Sequence, residues 1–316
     1  NTLRLALSGQ LGSDPFLNLG SDPVGEKVPD TFPALDEVKA ALDLCVSCKG
    51  CKRECPTGID MARMKIEFLA HYRKQRGLTM RDRLIAYLPR YAPLASRLAP
   101  LANLAQDLGK RAVGFAAERR PPRFRRDAFR AAETRASTAN GRDVVLFVDT
   151  FNRYFEPENT HAAVRVLEAA GCAVHIAEPS TAGRPLCCGR TFLAAGLVEE
   201  ARREASRTLD ALTPWVERGV PVVGLEPSCL FGLRDEFTVL LPGARSAALA
   251  ANALLFEEYL VREADAGRLQ LKLKPVANDA LLHGHCHQKA FAAMGAVEGA
   301  LRLVPALKVA TVESSC

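Results

Sequence analysis

The chain has 316 residues, 48% of them hydrophobic and 25% charged, which is the composition of an ordinary globular protein. Its formal net charge of +6 is modest, and much of the excess lies in residues 111–135, so the charge does not indicate a nucleic-acid partner. No apolar run is as long as a membrane span. The chain begins with Asn rather than Met, which indicates a fragment or a processed product.

Ten cysteines occur in the chain, and seven of them form two groups. The first group runs from Cys45 to Cys55, and the second comprises Cys187, Cys188 and Cys229. The N-terminal residues lack the cleavable apolar core of a secretory signal. Clustered thiols without an export signal predict metal binding in a reducing compartment, here the cytoplasm.

The first part of the chain is predicted to be helical. A short helix is expected over residues 3–11, and apolar residues at helical spacing predict a second helix over 33–44 that leads into Cys45. Asp60 is a predicted N-cap for a helix over 61–75. A cysteine loop between two helices indicates the all-helical kind of ferredoxin rather than the small β-rich kind.

The cysteine loop has the spacing C-x2-C-x2-C-x3-C-P, formed by Cys45, Cys48, Cys51 and Cys55 with Pro56. This run holds a cubane iron–sulfur cluster in bacterial ferredoxins, where the fourth cysteine ligates the other cluster of a two-cluster protein. Zinc is the alternative, although zinc sites usually combine two well-separated C-x2-C pairs or one such pair with later histidines. The loop therefore predicts electron transfer through a [4Fe-4S] cluster.

Two or three further helices are predicted from residue 80 to residue 108, with breaks at Pro89, Pro93 and Pro100. Their apolar face includes Leu94, Leu98, Leu101 and Leu104. We expect this face to pack against the helices of the cysteine loop, because its polar side is not markedly basic. The alternative is a face that docks on a partner or makes peripheral contact with a membrane.

A basic, Pro-containing linker is predicted over residues 111–141, and the pattern changes to alternating strands and helices from residue 142. Strands are predicted over residues 144–148, 173–177, 220–225, 280–284 and 307–312. Helices are predicted over residues 157–170, 196–215, 246–266 and 295–303. This alternation predicts a parallel sheet with helices on both faces.

A weak internal repeat relates residues 144–150 to residues 280–286, since each is a strand followed by a polar loop, a helix and a second strand. In this alignment Thr150 occupies the place of Cys286, and Cys316 matches Cys187. Two related βαβ units that face each other would bring the ends of their strands together.

A second metal site is predicted where the strands of this region end. Ligands collect beyond the carboxyl ends of parallel strands, on loops that display binding residues. Five cysteines follow strands directly or by a short loop: Cys187, Cys188, Cys229, Cys286 and Cys316. We interpret these five as metal ligands and Cys172 as a buried, inert cysteine.

Three histidines alternate around Cys286, namely His283, His285 and His287. If the strand continues through them, they share one side of it and Cys286 lies on the other. They are candidates for metal ligation, for acid–base work or for donation to a ligand, and hydrogen bonding to nearby backbone is an equal alternative.

Taken together, these motifs resemble the C-terminal, iron–sulfur half of bacterial FAD-linked 2-hydroxyacid dehydrogenases of the D-lactate and D-2-hydroxyglutarate type. Similar modules occur in heterodisulfide reductase subunits and in the anaerobic glycerol-3-phosphate dehydrogenase. The resemblance covers nearly the whole chain and rests on residues 42–65, 149–152, 186–189, 226–229, 283–289 and 313–316.

The resemblance implies an α/β protein with an all-helical ferredoxin-like segment over residues 1–110. The linker and a pseudo-symmetric, parallel-sheet cysteine-rich domain over 142–316 follow, and the domain is truncated at its C-terminal end. In that family the FAD domain and a first cysteine motif precede this segment, so the flavin chemistry is expected upstream and no catalytic residue is assigned here.

The implied function is transfer of electrons from the upstream FAD domain to an acceptor, which is a quinone, a disulfide or a protein. Cys45, Cys48 and Cys51 would hold one cluster with a fourth ligand upstream, and Cys55 would ligate a second one. Thr150 stands where a first module cysteine is expected, so a simpler iron–sulfur cluster or zinc is favoured for the cysteine-rich domain.

Two alternatives remain. One is a zinc-stabilised structural or docking module without redox activity. The other is thiol–disulfide chemistry by Cys187 and Cys188, which would require a lowered thiol pKa.

Overall fold

The computed structural model describes residues 33–133, 141–179 and 183–314. The helix predicted over residues 3–11 and the candidate ligand Cys316 lie outside these ranges.

The first described stretch is helical, as predicted. Its helices are α1 (Pro33–Asp43), α2 (Gly50–Glu54), α3 (Met61–Arg76), α4 (Met80–Ala86), α5 (Leu88–Arg97) and α6 (Ala99–Gly109). Asp60 caps α3 by accepting the backbone N–H of Arg63, as its position before the apolar run predicted. Helices α1 and α3 pack through a small apolar cluster of Leu35, Val38, Leu42, Phe68 and Leu69.

Three prolines were predicted to break the helices of this stretch, and one of them does not. Pro89 and Pro100 lie in the first turns of α5 and α6, where a missing N–H breaks no helical bond. Pro93 lies inside α5 and does not end the helix. The neighbouring Ala92 is fully buried against Phe124 and Tyr154, and this packing offsets the one hydrogen bond that Pro93 removes.

The leucine face of α5 and α6 does not pack against the cysteine-loop helices as expected. Leu94 is 61% exposed and Leu101 is 66% exposed, and Leu98 and Leu104 are also exposed. The buried side of these helices is formed by Ala92 and Ala99 instead. Small residues allow the close approach, so the larger leucines are left on the outer side.

A four-stranded parallel sheet forms the centre of the second part of the chain, and an α/β fold was predicted. Its strands are β1 (Arg142–Phe147), β2 (Cys172–Ile176), β3 (Val222–Gly224) and β4 (Ala253–Leu255), in the order β2-β1-β3-β4. In the register, Val145 lies opposite His175 on one side and Val222 on the other.

Helices cover both faces of this sheet. They are α7 (Thr150–Tyr154), α8 (Pro157–Ala169), α9 (Arg190–Ala194), α10 (Val198–Glu217), α11 (Pro227–Arg234), α12 (Glu236–Leu240), α13 (Ala244–Asn252) and α14 (Phe256–Asp265). Successive residues of β1 alternate between two cores: Val145 and Phe147 join one, and Val144 and Leu146 join the other. The near-continuous apolar sequence of β1 follows from burial on both faces.

The helix predicted over residues 246–266 is wrong, because β4 divides that stretch into α13 and α14. The sequence Ala253–Leu255 is apolar and short, so its pattern fits a helix as well as a buried strand. Pairing with β3 decides between them, since it places Ala253 and Leu255 in the core at 0% exposure.

A separate two-stranded parallel sheet follows, made of β5 (Asp279–Leu282) and β6 (Lys308–Thr311). Its connection contains α15 (Cys286–Ala290) and α16 (Met294–Arg302). This unit is a βαβ unit, as is the one formed by β1, α7, α8 and β2. Helix α16 packs on α14, where an added Cβ at Gly299 would approach Val261 Cγ2 to 2.9 Å.

The helical part and the sheet part are in direct contact. Gly196 has a φ of +77°, and a Cβ at this position would lie 2.6 Å from the backbone carbon of Leu69 in α3. Only glycine fits this approach. In the described ranges, no helix combines the length and the apolar character that crossing a bilayer requires.

Candidate metal centre

The cysteine loop lies between α1 and α3 and contains the short helix α2. Its four cysteines, Cys45, Cys48, Cys51 and Cys55, are all half-buried and free of disulfides. Ser47 and Lys49 both adopt left-handed backbone conformations, with φ values of 56° and 62°. Such conformations are uncommon for residues other than glycine, and they tend to occur where structure is shaped for a function.

Backbone and hydroxyl donors point at two sulfurs of this loop. The N–H of Met61 donates to Cys51 Sγ at 3.3 Å, and Cys55 Sγ lies 3.1 Å from Thr57 Oγ1. The hydrogen bond with Thr57, together with backbone N–H groups, lowers the pKa of Cys55. N–H groups directed at sulfur are the means by which a protein stabilises thiolates and tunes a cluster.

Three cysteines of the second group lie together in the core. Cys188 Sγ and Cys229 Sγ are 3.1 Å apart, and Cys187 accepts the N–H of Gly189 at 3.4 Å. All three are about 4% exposed. The vicinal pair precedes α9, and Cys229 lies in the first turn of α11, so two different strand-to-helix connections bring these sulfurs together.

The neutral thiol is favoured at all three positions. The contact with Cys188, and then burial, raise the pKa of Cys187 well above its usual range. For Cys229 the hydrogen bond with Cys188 acts in the opposite direction, but burial and the charge of Asp149 raise the pKa to about 12. Bringing thiolates together in an acidic, buried setting requires a cation.

Cys286 is the first residue of α15, so it does not share a strand with its neighbouring histidines. The strand β5 ends at Leu282, two residues before its predicted end, so the condition for alternation across a strand is not met at residues 283–287. His285 instead caps α15, with its Nδ1 accepting the N–H of His287 at 3.1 Å. Its Nε2 lies 3.9 Å from Glu226, the cap of α11, so the Cys286 and Cys229 helices begin side by side.

Thiolate sulfurs are the preferred ligands of thiophilic metals and iron–sulfur clusters, so the residue types of both cysteine groups fit such a cofactor. The described residues nevertheless contain no set of three or more His, Cys, Asp or Glu side chains placed to hold a metal ion. The structure brings together Cys187, Cys188 and Cys229. The helix of Cys286 packs against α11 and α2. Cys172 lies apart at the start of β2, with its Sγ 3.1 Å from Tyr259 Oη.

Charged residues that no sequence motif marks as functional connect the two cysteine groups. Lys49 Nζ contacts Asp235 and lies 2.6 Å from Glu236 Oε1, and Lys52 Nζ donates to Asp235 at 3.0 Å. Burial acts against ionisation of Asp235, but the hydrogen bond and charge of Lys49 keep its pKa below the usual range. No periodicity marks these residues, so only the fold reveals them.

Comparisons with known proteins find that the chain is similar to parts of several dehydrogenases. It is 26% identical to the D-2-hydroxyglutarate dehydrogenase of Pantoea ananatis over 71% of its length, and 25% identical to that of Escherichia coli over 79%. It is also 26% identical, over 75% of its length, to one of the subunits of the anaerobic glycerol-3-phosphate dehydrogenase of Escherichia coli. The relationship indicated by the cysteine motifs is thereby confirmed.

The matched region is a small share of the larger relatives. The chain spans about a quarter of the length of these D-2-hydroxyglutarate dehydrogenases and 61% of the glycerol-3-phosphate dehydrogenase polypeptide. No family model and no solved structure matches the chain.

Proposed function

Because the relatives are dehydrogenases and one polypeptide of a multi-subunit dehydrogenase, we propose that this chain is the iron–sulfur electron-transfer portion of a flavin-dependent 2-hydroxyacid dehydrogenase. The observation that best supports this proposal is the half-buried C-x2-C-x2-C-x3-C-P loop, in which a backbone N–H is directed at Cys51 Sγ. An iron–sulfur cluster supplies one-electron transfer when bound. The FAD domain, on the upstream part of the polypeptide, supplies the electrons in this proposal.

In this proposal the residues of the loop supply the cluster ligands, a hydrogen-bond donor and nearby positive charge. Cys45, Cys48 and Cys51 hold a [4Fe-4S] cluster, and Cys55 serves a cluster whose other ligands lie upstream. Met61 donates its N–H to the sulfur of Cys51. Lys49, buried behind the loop, supplies positive charge close to the ligands.

The second site in this proposal comprises Cys187, Cys188, Cys229, Cys286 and Cys316, which hold an iron–sulfur cluster or zinc. Support comes from the mutual contacts of the three buried sulfurs and from the adjacent caps Glu226 and His285. Electrons would pass from here to a quinone, a disulfide or a protein acceptor. The raised pKa of Cys187 and Cys229 does not favour thiol–disulfide catalysis, which needs a thiolate at neutral pH.

The internal repeat is part of the proposal. Thr150 and Cys286 are each the first residue of a helix that follows a strand, and the preceding Asp149 and His285 are the caps. This equivalence supports a pseudo-symmetric cysteine-rich domain over 142–316, joined by the linker 111–141 to the helical segment. The free cysteines among the described residues agree with a reducing compartment, and we propose the cytoplasm.

Iron, acid-labile sulfide and zinc measured on anaerobically purified chain, with electron paramagnetic resonance after dithionite reduction, test this function. We expect bound iron and sulfide with a reduced-cluster signal, below full occupancy because ligands of the loop clusters lie upstream, and Cys48→Ser should abolish one signal. Cys172→Ser is the matched control and should keep the signal, because that thiol lies against Tyr259 in the sheet core. Zinc without sulfide would overturn the proposal in favour of the docking module.

A further inference from the structure

Lys49 is the most unusual residue of the cysteine loop outside its ligands. It lies between Cys48 and Cys51, yet its side chain is 1% exposed and points into the sheet part of the molecule. Its Nζ contacts Asp235 and lies 2.6 Å from Glu236 Oε1 at the junction of α11 and α12. A buried lysine of this kind persists only when it is paired.

The same carboxylate is held from the side of the second cysteine group. Arg190, two residues after Cys188, donates from Nη1 to Glu236 Oε1 at 3.0 Å. From Nη2 it contacts His287 Nε2 at 2.9 Å and donates to the carbonyl of Ser47 at 3.2 Å. Arg190 therefore touches the cysteine loop, the residue after Cys286 and the bridging carboxylate at once.

Glu236 also lies close to the second group itself. A Cβ built at Gly232 would lie 3.8 Å from Glu236 Oε2 and 4.0 Å from Cys188 Cβ, so the carboxylate and Cys188 flank one glycine. Glu236 Oε2 is buried and has no hydrogen-bond partner among the described residues. The carboxylate therefore contacts Lys49 and Arg190 through its other oxygen, Oε1.

We propose that Glu236 is a positioning residue that couples the two cysteine groups, by fixing Lys49 from the loop and Arg190 from the second group on one buried carboxylate. The coupling makes the packing of either group depend on the anchoring of the other. Its role for electron transfer rests on the proposed function, because both groups must then carry metal. The anchoring itself is a property of the polypeptide alone.

Thiol labelling of the reduced, metal-free full chain tests the coupling. Iodoacetamide modification is followed residue by residue with mass spectrometry. We expect Lys49→Met and Glu236→Gln each to speed labelling of Cys188 and Cys229 about tenfold, which corresponds to about 1.4 kcal/mol of lost protection. The effect of the double variant should be smaller than the sum of the two single effects, because both changes remove the contact between Lys49 and Glu236.

The two substitutions separate anchoring from simple electrostatics. Removing a positive charge raises a nearby thiol pKa and slows labelling, whereas removing a negative charge lowers it and speeds labelling. Faster labelling in both variants therefore requires loosened packing. Effects of opposite direction, or no effect of Lys49→Met on Cys188 and Cys229, would overturn the proposal.

Two controls exclude general destabilisation. Glu263→Gln removes a carboxylate that is equally buried and is paired with Arg142, Arg262 and Arg268, but that lies at the end of α14, and it should leave Cys188 and Cys229 unchanged. Cys172 is an internal reference on β2, and equal labelling rates at Cys172, Cys188 and Cys229 in Lys49→Met, the sign of global unfolding, would overturn the proposal. If the chain binds no iron, the proposed function fails while the labelling result still decides the coupling.

Discussion

The side chain of Lys49 combines an unfavourable desolvation with favourable ion pairs. A buried ammonium is expensive to desolvate, and it is retained here beside Asp235 and Glu236. Asp235 also pairs with Lys52 and Arg63, so three cations meet one carboxylate. The excess positive charge at this point suits a neighbouring anionic thiolate site, which is the setting that the cysteine loop would provide when loaded.

Replacing Lys49 by Met tests how much this pairing contributes to stability. Glu236 keeps Arg190 and Asp235 keeps two cations, but both carboxylates stay buried with less compensation. We therefore expect a loss of about 3 kcal/mol in the free energy of unfolding of the metal-free chain, measured in urea. Lys39→Met, which breaks an exposed pair with Asp43, should cost less than about 0.5 kcal/mol.

Equal losses for the two lysine variants would contradict the buried role of Lys49. The sequence offers no means of separating them, since both are lysines in a charged stretch. Side-chain burial at residue 49 arises from contacts with residues 235 and 236, which are far away along the chain. Local pattern therefore predicts the candidate cysteine ligands but not the buried charges beside them.

Helices and strands with strong hydrophobic periodicity were predicted correctly, whereas elements formed by short apolar runs were not. The helices α1 and α3 and the strands β1 and β2 begin and end within two residues of their predicted bounds. The three-residue strand β4 and the short helices α9, α11 and α12 were missed, because three to eight residues give too little periodicity. These missed elements carry Arg190, Cys229 and Glu236.

The correspondence between the two βαβ units predicts a position at which a further metal ligand can be introduced. Thr150 begins α7 as Cys286 begins α15, and its side chain is 7% exposed at the end of β1. The preceding Asp149 is near enough to Cys229 for its charge to raise that thiol's pKa. If the second site lies at these helix starts, a thiol at position 150 adds one ligand.

Cobalt(II) titration of Thr150→Cys measures this addition. We expect the sulfur-to-cobalt absorption to increase by about one thiolate per site and the affinity to rise about tenfold. Thr160→Cys is the control, because Thr160 is fully buried in α8 with its hydroxyl bonded to the carbonyl of Asn152. An unchanged spectrum in Thr150→Cys would separate this position from the site.

For the whole molecule, the two sheets differ in how completely the described chain covers them. The four-stranded sheet has helices on both faces, and residues 144–147 of β1 are buried. In the two-stranded sheet, Leu281 is 80% exposed and no residue of β5 or β6 is buried. The class of fold was predictable from alternation, but the separation into two sheets depends on tertiary packing that alternation does not encode.

Amide hydrogen exchange, with and without metal, connects this difference to the candidate site. In the metal-free chain we expect β5 and β6 to exchange at least about 100-fold faster than β1, because few buried contacts oppose their opening. Loading with iron and sulfide, or with zinc, should slow β5 and β6 most, since Cys286 begins the helix that follows β5 and a bound metal stabilises only the folded state. Helix α10 bears no candidate ligand and is the reference within each sample. Protection that rises in β1 alone, with β5 and β6 unchanged, would remove Cys286 and Cys316, which follow β5 and β6 in the sequence, from the ligand set and confine the second site to Cys187, Cys188 and Cys229.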